Sequence, residues 1–358
     1  MSTASPASQA RRDVTPKRAR RPRAWNWLPG VVLLAAFVAF VALRSDEERQ
    51  FARMLQRARP QWLLVAVVLQ MASYVAAAGC WLLVLKKVRV EVPVMRTAGL
   101  SVMKLSFDQL VPTAGIGGSV VVMRGLQREG APPRVATAAL LVDMVSFYAA
   151  QAVAVVVAIL VLWFRARLHA TILGLATAFA ALACAVPVAI LWLTRHGGWT
   201  PPRWTHRIPG FTSLLTSISQ VPPELVRDRG LLARASAWQF TVFVVDALTL
   251  SCMLVAVGHP VDFPDVFASF MLATLVMTLS IIPGGVGTFE ATAVGTLSSL
   301  GVPVQVGLTA VLLLRGFTLW LPLPIGVVLL HRMLGVRLHE VMGHGDAESA
   351  SQAGSGRA

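Results

Sequence analysis

The side chains able to do chemistry in this chain are ionisable groups set among apolar residues: Asp108, Arg124, Asp143, Asp246, Glu290 and Arg315. Arg315 follows Val311-Leu-Leu-Leu, near the middle of an apolar run. On insertion scales an arginine in hydrocarbon costs about 2.5–3.5 kcal/mol, so it needs a partner or a water-filled cavity. Glu290, Asp143 and Asp246 are the candidate partners. A guanidinium so placed also suits a phosphate, which it binds through charge-assisted hydrogen bonds. The acids outnumber Arg315, so one carboxylate is expected to hold a proton at rest. Proton coupling is therefore a weaker hypothesis. A function indifferent to a pH gradient and to Asp246→Asn would count against it.

Backbone-breaking residues accompany these charges. In Ile281-Ile-Pro-Gly-Gly-Val-Gly-Thr-Phe-Glu290, Pro283 removes a backbone donor, and Gly284, Gly285 and Gly287 permit positive φ. An earlier stretch, Asp108-Gln-Leu-Val-Pro112-Thr-Ala-Gly115-Ile-Gly117-Gly118, has the same character. Freed backbone groups at membrane depth are tolerated only where protein or a cavity covers them. Each stretch therefore predicts a broken or re-entrant hairpin, not a plain helix.

A shift of 171 positions superimposes the two breaks, carrying Pro112 onto Pro283. The same shift carries Pro93 onto Pro264, Gly130 onto Gly301, Pro132 onto Pro303 and Leu83-Val84 onto Leu254-Val255. Asp143 falls on position 314, beside Arg315, which predicts an acid and a base at matched depths and a salt bridge across a pseudo-axis. Two span–hairpin–span repeats follow, at about 61–164 and 232–335. Paired Pro/Gly interruptions in the two halves of a chain are the best sequence pointer to a transporter's binding site. The plainer reading is kinked packing helices whose glycines allow close approach.

The elements that must position these residues are membrane spans. The chain of 358 residues is 56% hydrophobic and only 14% charged, and its mean hydropathy is +0.67. Soluble domains are nearer a quarter charged. The apolar runs are helix-length, which predicts an all-α polytopic membrane protein. They leave no room for a sizeable soluble catalytic domain. Spans are expected at 27–43, 61–85, 134–164, 169–194, 236–257 and 304–330, with hairpins at 94–127 and 264–300.

The net charge of +15 is carried mostly by the tail and the loops. Cytoplasmic retention and anionic headgroups explain it, and nucleic acid is not expected. Residues 1–24 read as a disordered basic cytoplasmic arm, 25–335 as the membrane domain, 195–235 as a cytoplasmic loop and 336–358 as a cytoplasmic tail. The first run is followed by Arg44-Ser-Asp-Glu-Glu48 and no small-x-small cleavage site, so it reads as an uncleaved span. Charge counting starts the first hairpin from the cytoplasm and the second from outside. The repeats are then inverted.

Other chemistries find no motif. Neither glycine cluster is followed by Gly-Lys-Ser/Thr, so no nucleotide site and no cofactor are expected. Cys80, Cys184 and Cys252 form no C-x-x-C pair, and His339-Glu340 with His344 has the wrong spacing for a zinc helix. Neither a metal site nor an enzyme is expected.

Pro283-Gly-Gly-Val-Gly-Thr-Phe-Glu290, then Leu300-Gly-Val-Pro303 and Leu314-Arg315, resembles the flippase-like membrane family, the membrane region of lysylphosphatidylglycerol synthases and their stand-alone relatives. Pro112, Gly115, Gly117-Gly118, Arg124 and Leu141-Val-Asp143 extend the resemblance over roughly residues 25–335. Asp108, Thr113 and Met144 stand where that family often has Asn, Gly and Arg. The resemblance implies a bacterial inner-membrane protein moving lipid between leaflets. Its partners would be membrane lipids (an anionic or aminoacylated phospholipid, or a glycolipid), with a second copy of the chain or a lipid-synthesis enzyme as protein partner. The alternatives are an intramembrane enzyme or glycosyl-transfer partner, and a non-transporting scaffold for envelope assembly.

Overall fold

A computed structural model describes residues 59–110, 116–165, 223–280 and 283–322, with isolated helical positions beyond them. The elements are α1 (Pro60–Lys87), α2 (Val94–Leu110), α3 (Ile116–Arg128), α4 (Pro133–Phe164), α5 (Pro223–Arg227), α6 (Arg229–Ala256), α7 (Phe263–Leu279), a 3-10 turn (Pro283–Gly285), α8 (Thr288–Ser299), α9 (Val304–Arg315) and a π turn (Gly316–Trp320). Among the described residues there is no strand. Four segments are long and apolar enough to cross a membrane: α1, α4, α6 and Val304–Gly326, which contains α9. The 17-residue α7 is apolar but shorter. At 1.5 Å per residue it reaches about 25 Å, less than a ~30 Å hydrocarbon core.

The order long, short, short, long occurs twice. Pro60, Val94, Ile116 and Pro133 begin the first set; Arg229, Phe263, Thr288 and Val304 begin the second, at offsets of 169, 169, 172 and 171. Local chemistry explains why sequence landmarks recur with the elements. Gly130 and Gly301 adopt φ of 94° and 95°, past the ends of α3 and α8. The next amides, of Ala131 and Val302, reach back to the carbonyls of Leu126 and Leu297. This is the glycine-terminated helix end that satisfies orphan carbonyls. Pro132 and Pro303 then sit extended at the starts of α4 and α9.

α1 and α6 lie antiparallel along their lengths. The Arg59 amide meets the Ala256 carbonyl at 3.2 Å. Ser73 bonds Asp246 at 2.8 Å, and Lys87 pairs with Asp228 at the far end. α2 and α3 fold back on each other, and Arg96 Nη1 bonds Glu129 Oε2 at 2.8 Å, bringing the start of α2 beside the end of α3. At the opposite end of α4, Arg165 grips Asp262 and Asp265, both at 3.0 Å, before and within the first turn of α7.

Two apolar cores flank this frame. One gathers Leu100, Met103 and Phe107 of α2, Val122 and Leu126 of α3 and the first half of α4. The other gathers Phe267 and Met271 of α7, Phe289 and Leu297 of α8, Leu314 of α9 and the second half of α4. Hydrogen bonds cross between the halves at matched places. Ser106 Oγ on α2 meets the Pro322 carbonyl at 2.7 Å, and Gln151 Nε2 on α4 donates to Thr278 Oγ1 on α7 at 3.0 Å.

Two elements depart from expectation. α6 begins at Arg229, ahead of the expected span at 236, because Asp228 accepts from the Leu231 amide and caps a polar first turn that hydropathy does not register. The last span is not one regular helix: α9 ends at Arg315 and passes into the π turn. The expected spans at 27–43 and 169–194, the arm, most of the 195–235 loop and the tail lie outside the described residues.

Candidate functional site

The second break is built from backbone upward. Gly284, Gly285 and Gly287 have φ of 63°, 59° and 84°, a region costing other L-residues roughly 1–2 kcal/mol each. At Gly285 a Cβ would also lie 2.9 Å from Met277 Cβ. Interrupting the helix frees polar backbone groups, and side chains take them up. Arg315 Nη2 donates to the Gly284 carbonyl at 2.7 Å. Thr288 Oγ1 donates to the Gly285 carbonyl at 3.0 Å. The Gly287 amide donates to Glu290 Oε2 at 2.6 Å, a carboxylate in the first turn of α8 where the helix dipole favours it.

Glu290 Oε1 in turn accepts from Arg315 Nε at 2.7 Å. The guanidinium carbon lies 4.6 Å from the centroid of the Phe289 ring, which adds a cation–π contact. Phe289 packs edge-on to Phe270 at 5.8 Å, fixing α8 to α7. The Arg315 side chain is 9% exposed and that of Glu290 17%, while Val286 and Gly287 at the tip are exposed. The bonds above use two of the five guanidinium donors. An arginine at the edge of a helix break, with donors left over and an aromatic face beneath it, is suited to an anionic group arriving from the open side.

The first half carries a related arrangement. The Gly118 amide, in the first turn of α3, donates to Asp108 Oδ1 at 2.9 Å. Lys104 Nζ lies 3.7 Å from Asp108 Oδ2, one helical turn away on α2. A Cβ on Gly118 would strike the Asp108 carboxylate. In each half, then, a carboxylate caps the helix after the break and a cation neutralises it. Pro112 and Gly115 lie outside the described residues, and Gly117 lies in α3.

Of Arg315's three candidate partners, the structure selects Glu290. The salt bridge between Asp143 and Arg315 is not formed, because Asp143 is turned to Gln239 on α6, whose Nε2 donates to its Oδ1 at 2.5 Å. Asp246 is likewise taken by Ser73. Arg124 is exposed and, among the described residues, joins no ion pair. Lys104 was not foreseen, although its position four residues before Asp108 is the helical ion-pair spacing. Gln151, Thr278 and Ser106 were missed too; an isolated polar residue in an apolar run carries no signal of what it faces.

The profile described as Lysylphosphatidylglycerol synthase TM region matches residues 27–326, most of the chain. The chain belongs to this family. It is also similar to a UPF0104 membrane protein of Methanothermobacter thermautotrophicus, with 23% identity over 318 residues, covering 83% of this chain and 91% of that one. The family's matched stretch contains both breaks, the Glu290–Arg315 pair and the Lys104–Asp108–Gly118 cluster.

Proposed function

We propose that this family member translocates a polar-headgroup lipid between the leaflets of the bacterial inner membrane. The observation that carries the reading is the Arg315 guanidinium at the helix break, with two of its five donors used by Glu290 and Gly284.

The framework we propose is an inverted pair of span–hairpin–span repeats with both termini in the cytoplasm. The antiparallel run of α1 against α6 favours it, since these are the first elements of the two sets. The matched bonds Ser106–Pro322 and Gln151–Thr278 favour it too: under the repeat shift each maps close to the other, as a two-fold axis requires. Lys86, Lys87, Arg96, Arg128 and Arg134 gather at one end, which becomes the cytoplasmic side, and α2 and α3 form a re-entrant pair. The family's printed name points to aminoacylated phospholipid, and the arginine equally suits an anionic phospholipid or a glycolipid phosphate. No cofactor or enzymatic step enters the reading.

Reconstitution of the purified protein into liposomes with labelled lipids tests it. Movement of at least one headgroup class, reduced in Arg315→Gln and Glu290→Gln variants that keep their thermal stability, is the expected result. If a broad headgroup panel stays in its leaflet and both variants match wild type in cells, the translocase reading falls.

A further inference from the structure

An apolar groove lies where α1, α6 and the start of α2 meet, at the end of the molecule rich in lysine and arginine. Its volume is about 230 Å³, and Val75, Leu82, Val94 and Trp238 form its walls. Gly79 makes it possible: a Cβ there would lie 2.6 Å from the Trp238 ring, so only glycine lets the indole lie against α1. Trp238 is 39% exposed, Val75 36% and Val94 48%, so the groove opens on the surface that faces lipid.

A single cation, Lys86, stands at its rim. Its neighbour Lys87 is neutralised by Asp228, and Arg96 by Glu129. No carboxylate among the described residues pairs with Lys86. An exposed indole, an apolar groove beside it and an unneutralised ammonium at its rim form one pattern. It matches a lipid whose acyl chain fills the channel and whose phosphate meets the lysine.

We propose that this groove is a binding site for an anionic phospholipid of the leaflet at the lysine-rich end. It is separate from the Glu290–Arg315 break and does not rest on transport, because occupancy is read directly. Lipid held here would be a resident of one leaflet, whether it waits for translocation or braces the α1–α6 contact.

Native mass spectrometry of the full chain in detergent, titrated with phosphatidylglycerol and phosphatidylcholine of the same acyl composition, is the test. The expected result is a preference for phosphatidylglycerol in wild type that falls by at least about fivefold in Lys86→Glu, since loss of one cation at a membrane surface carries ~1 kcal/mol and the new carboxylate adds repulsion. Val75→Trp, which fills the groove from its exposed rim, should lower retention of both lipids. The exposed position of Lys86 makes a folding defect in Lys86→Glu avoidable, and an unchanged melting temperature checks it. Equal retention of the two lipids by wild type overturns the proposal. So does a preference that survives Lys86→Glu, or retention unchanged in Val75→Trp. None of these outcomes depends on whether the liposome assay detects movement.

Discussion

Glu290 and Arg315 share one hydrogen-bonded circuit: one oxygen of the carboxylate takes the Gly287 amide, the other takes Arg315 Nε, and Arg315 returns to the Gly284 carbonyl. Neither side chain is only a charge partner, since each also closes a backbone group opened by the break. Arg315→Ala leaves Glu290 as an unpaired carboxylate in a membrane-embedded site, and a loss of about 3–5 kcal/mol is expected. Glu290→Gln keeps an acceptor for the Gly287 amide and should lose less. Equilibrium unfolding in mixed micelles checks both, and the pair in a double-mutant cycle should be strongly coupled.

The three glycines of the break separate by surroundings. Gly287 has open space around its missing Cβ, so Gly287→Ala should cost only the backbone strain at φ 84° and ψ −42°, on the order of 1–3 kcal/mol. Gly285→Ala adds a collision with Met277 and should cost more. Met277→Ala in the Gly285→Ala background removes the collision with the Met277 Cγ but keeps its Cβ at 2.9 Å, so it should recover only part of the steric cost. Thermal melts of the three variants distinguish the contributions.

Gly118 and Asp108 test the first half in the same way. Gly118→Ala drives the Asp108 carboxylate off the start of α3. Asp108→Ala removes the cap outright, with an expected loss of about 0.5–2 kcal/mol. Asp108→Asn keeps a cap but gives up the attraction to Lys104, so it should sit between wild type and Asp108→Ala in unfolding experiments.

Asp228 gives a pH signature outside the membrane-spanning segments. The Lys87 hydrogen bond first, then the Leu231 amide, lowers its pKa from 3.8 to about 2. The folded state therefore releases this proton more readily than the unfolded chain does. The stabilisation is complete above about pH 4 and is lost as pH falls toward 2. Asp228→Asn should be less stable than wild type at neutral pH, and the gap should close across that acid window. A constant difference in melting temperature from pH 5 down to 2.5 would count against the assignment.

Sidedness can be read with cysteine labels in a variant lacking Cys80, Cys184 and Cys252. Pro132→Cys, in the link between α3 and α4, should react only with reagent that reaches the cytoplasm. Pro260→Cys, between α6 and α7, should react with impermeant reagent from outside. Labelling of both from the same side would overturn the inverted arrangement.

The residue pattern alone determined that the described chain is helical, where its long helices run, and where the second break falls. Those properties are local: proline and glycine set backbone conformation within a few residues, and apolar runs of sufficient length form membrane helices whatever surrounds them. The motif around Pro283–Glu290 also pointed to the family. Only the tertiary structure decided which acid Arg315 takes. Glu290, Asp143 and Asp246 look alike in sequence, but one ends at Arg315, one at Gln239 and one at Ser73. It also revealed Lys104 beside Asp108, the crossed bonds of Ser106 and Gln151, and the groove that Gly79 opens for Trp238. The reason is the range of the forces: a hydrogen bond or an ion pair is made between particular atoms within about 3–4 Å, and helices distant in sequence must first be packed before those atoms can meet.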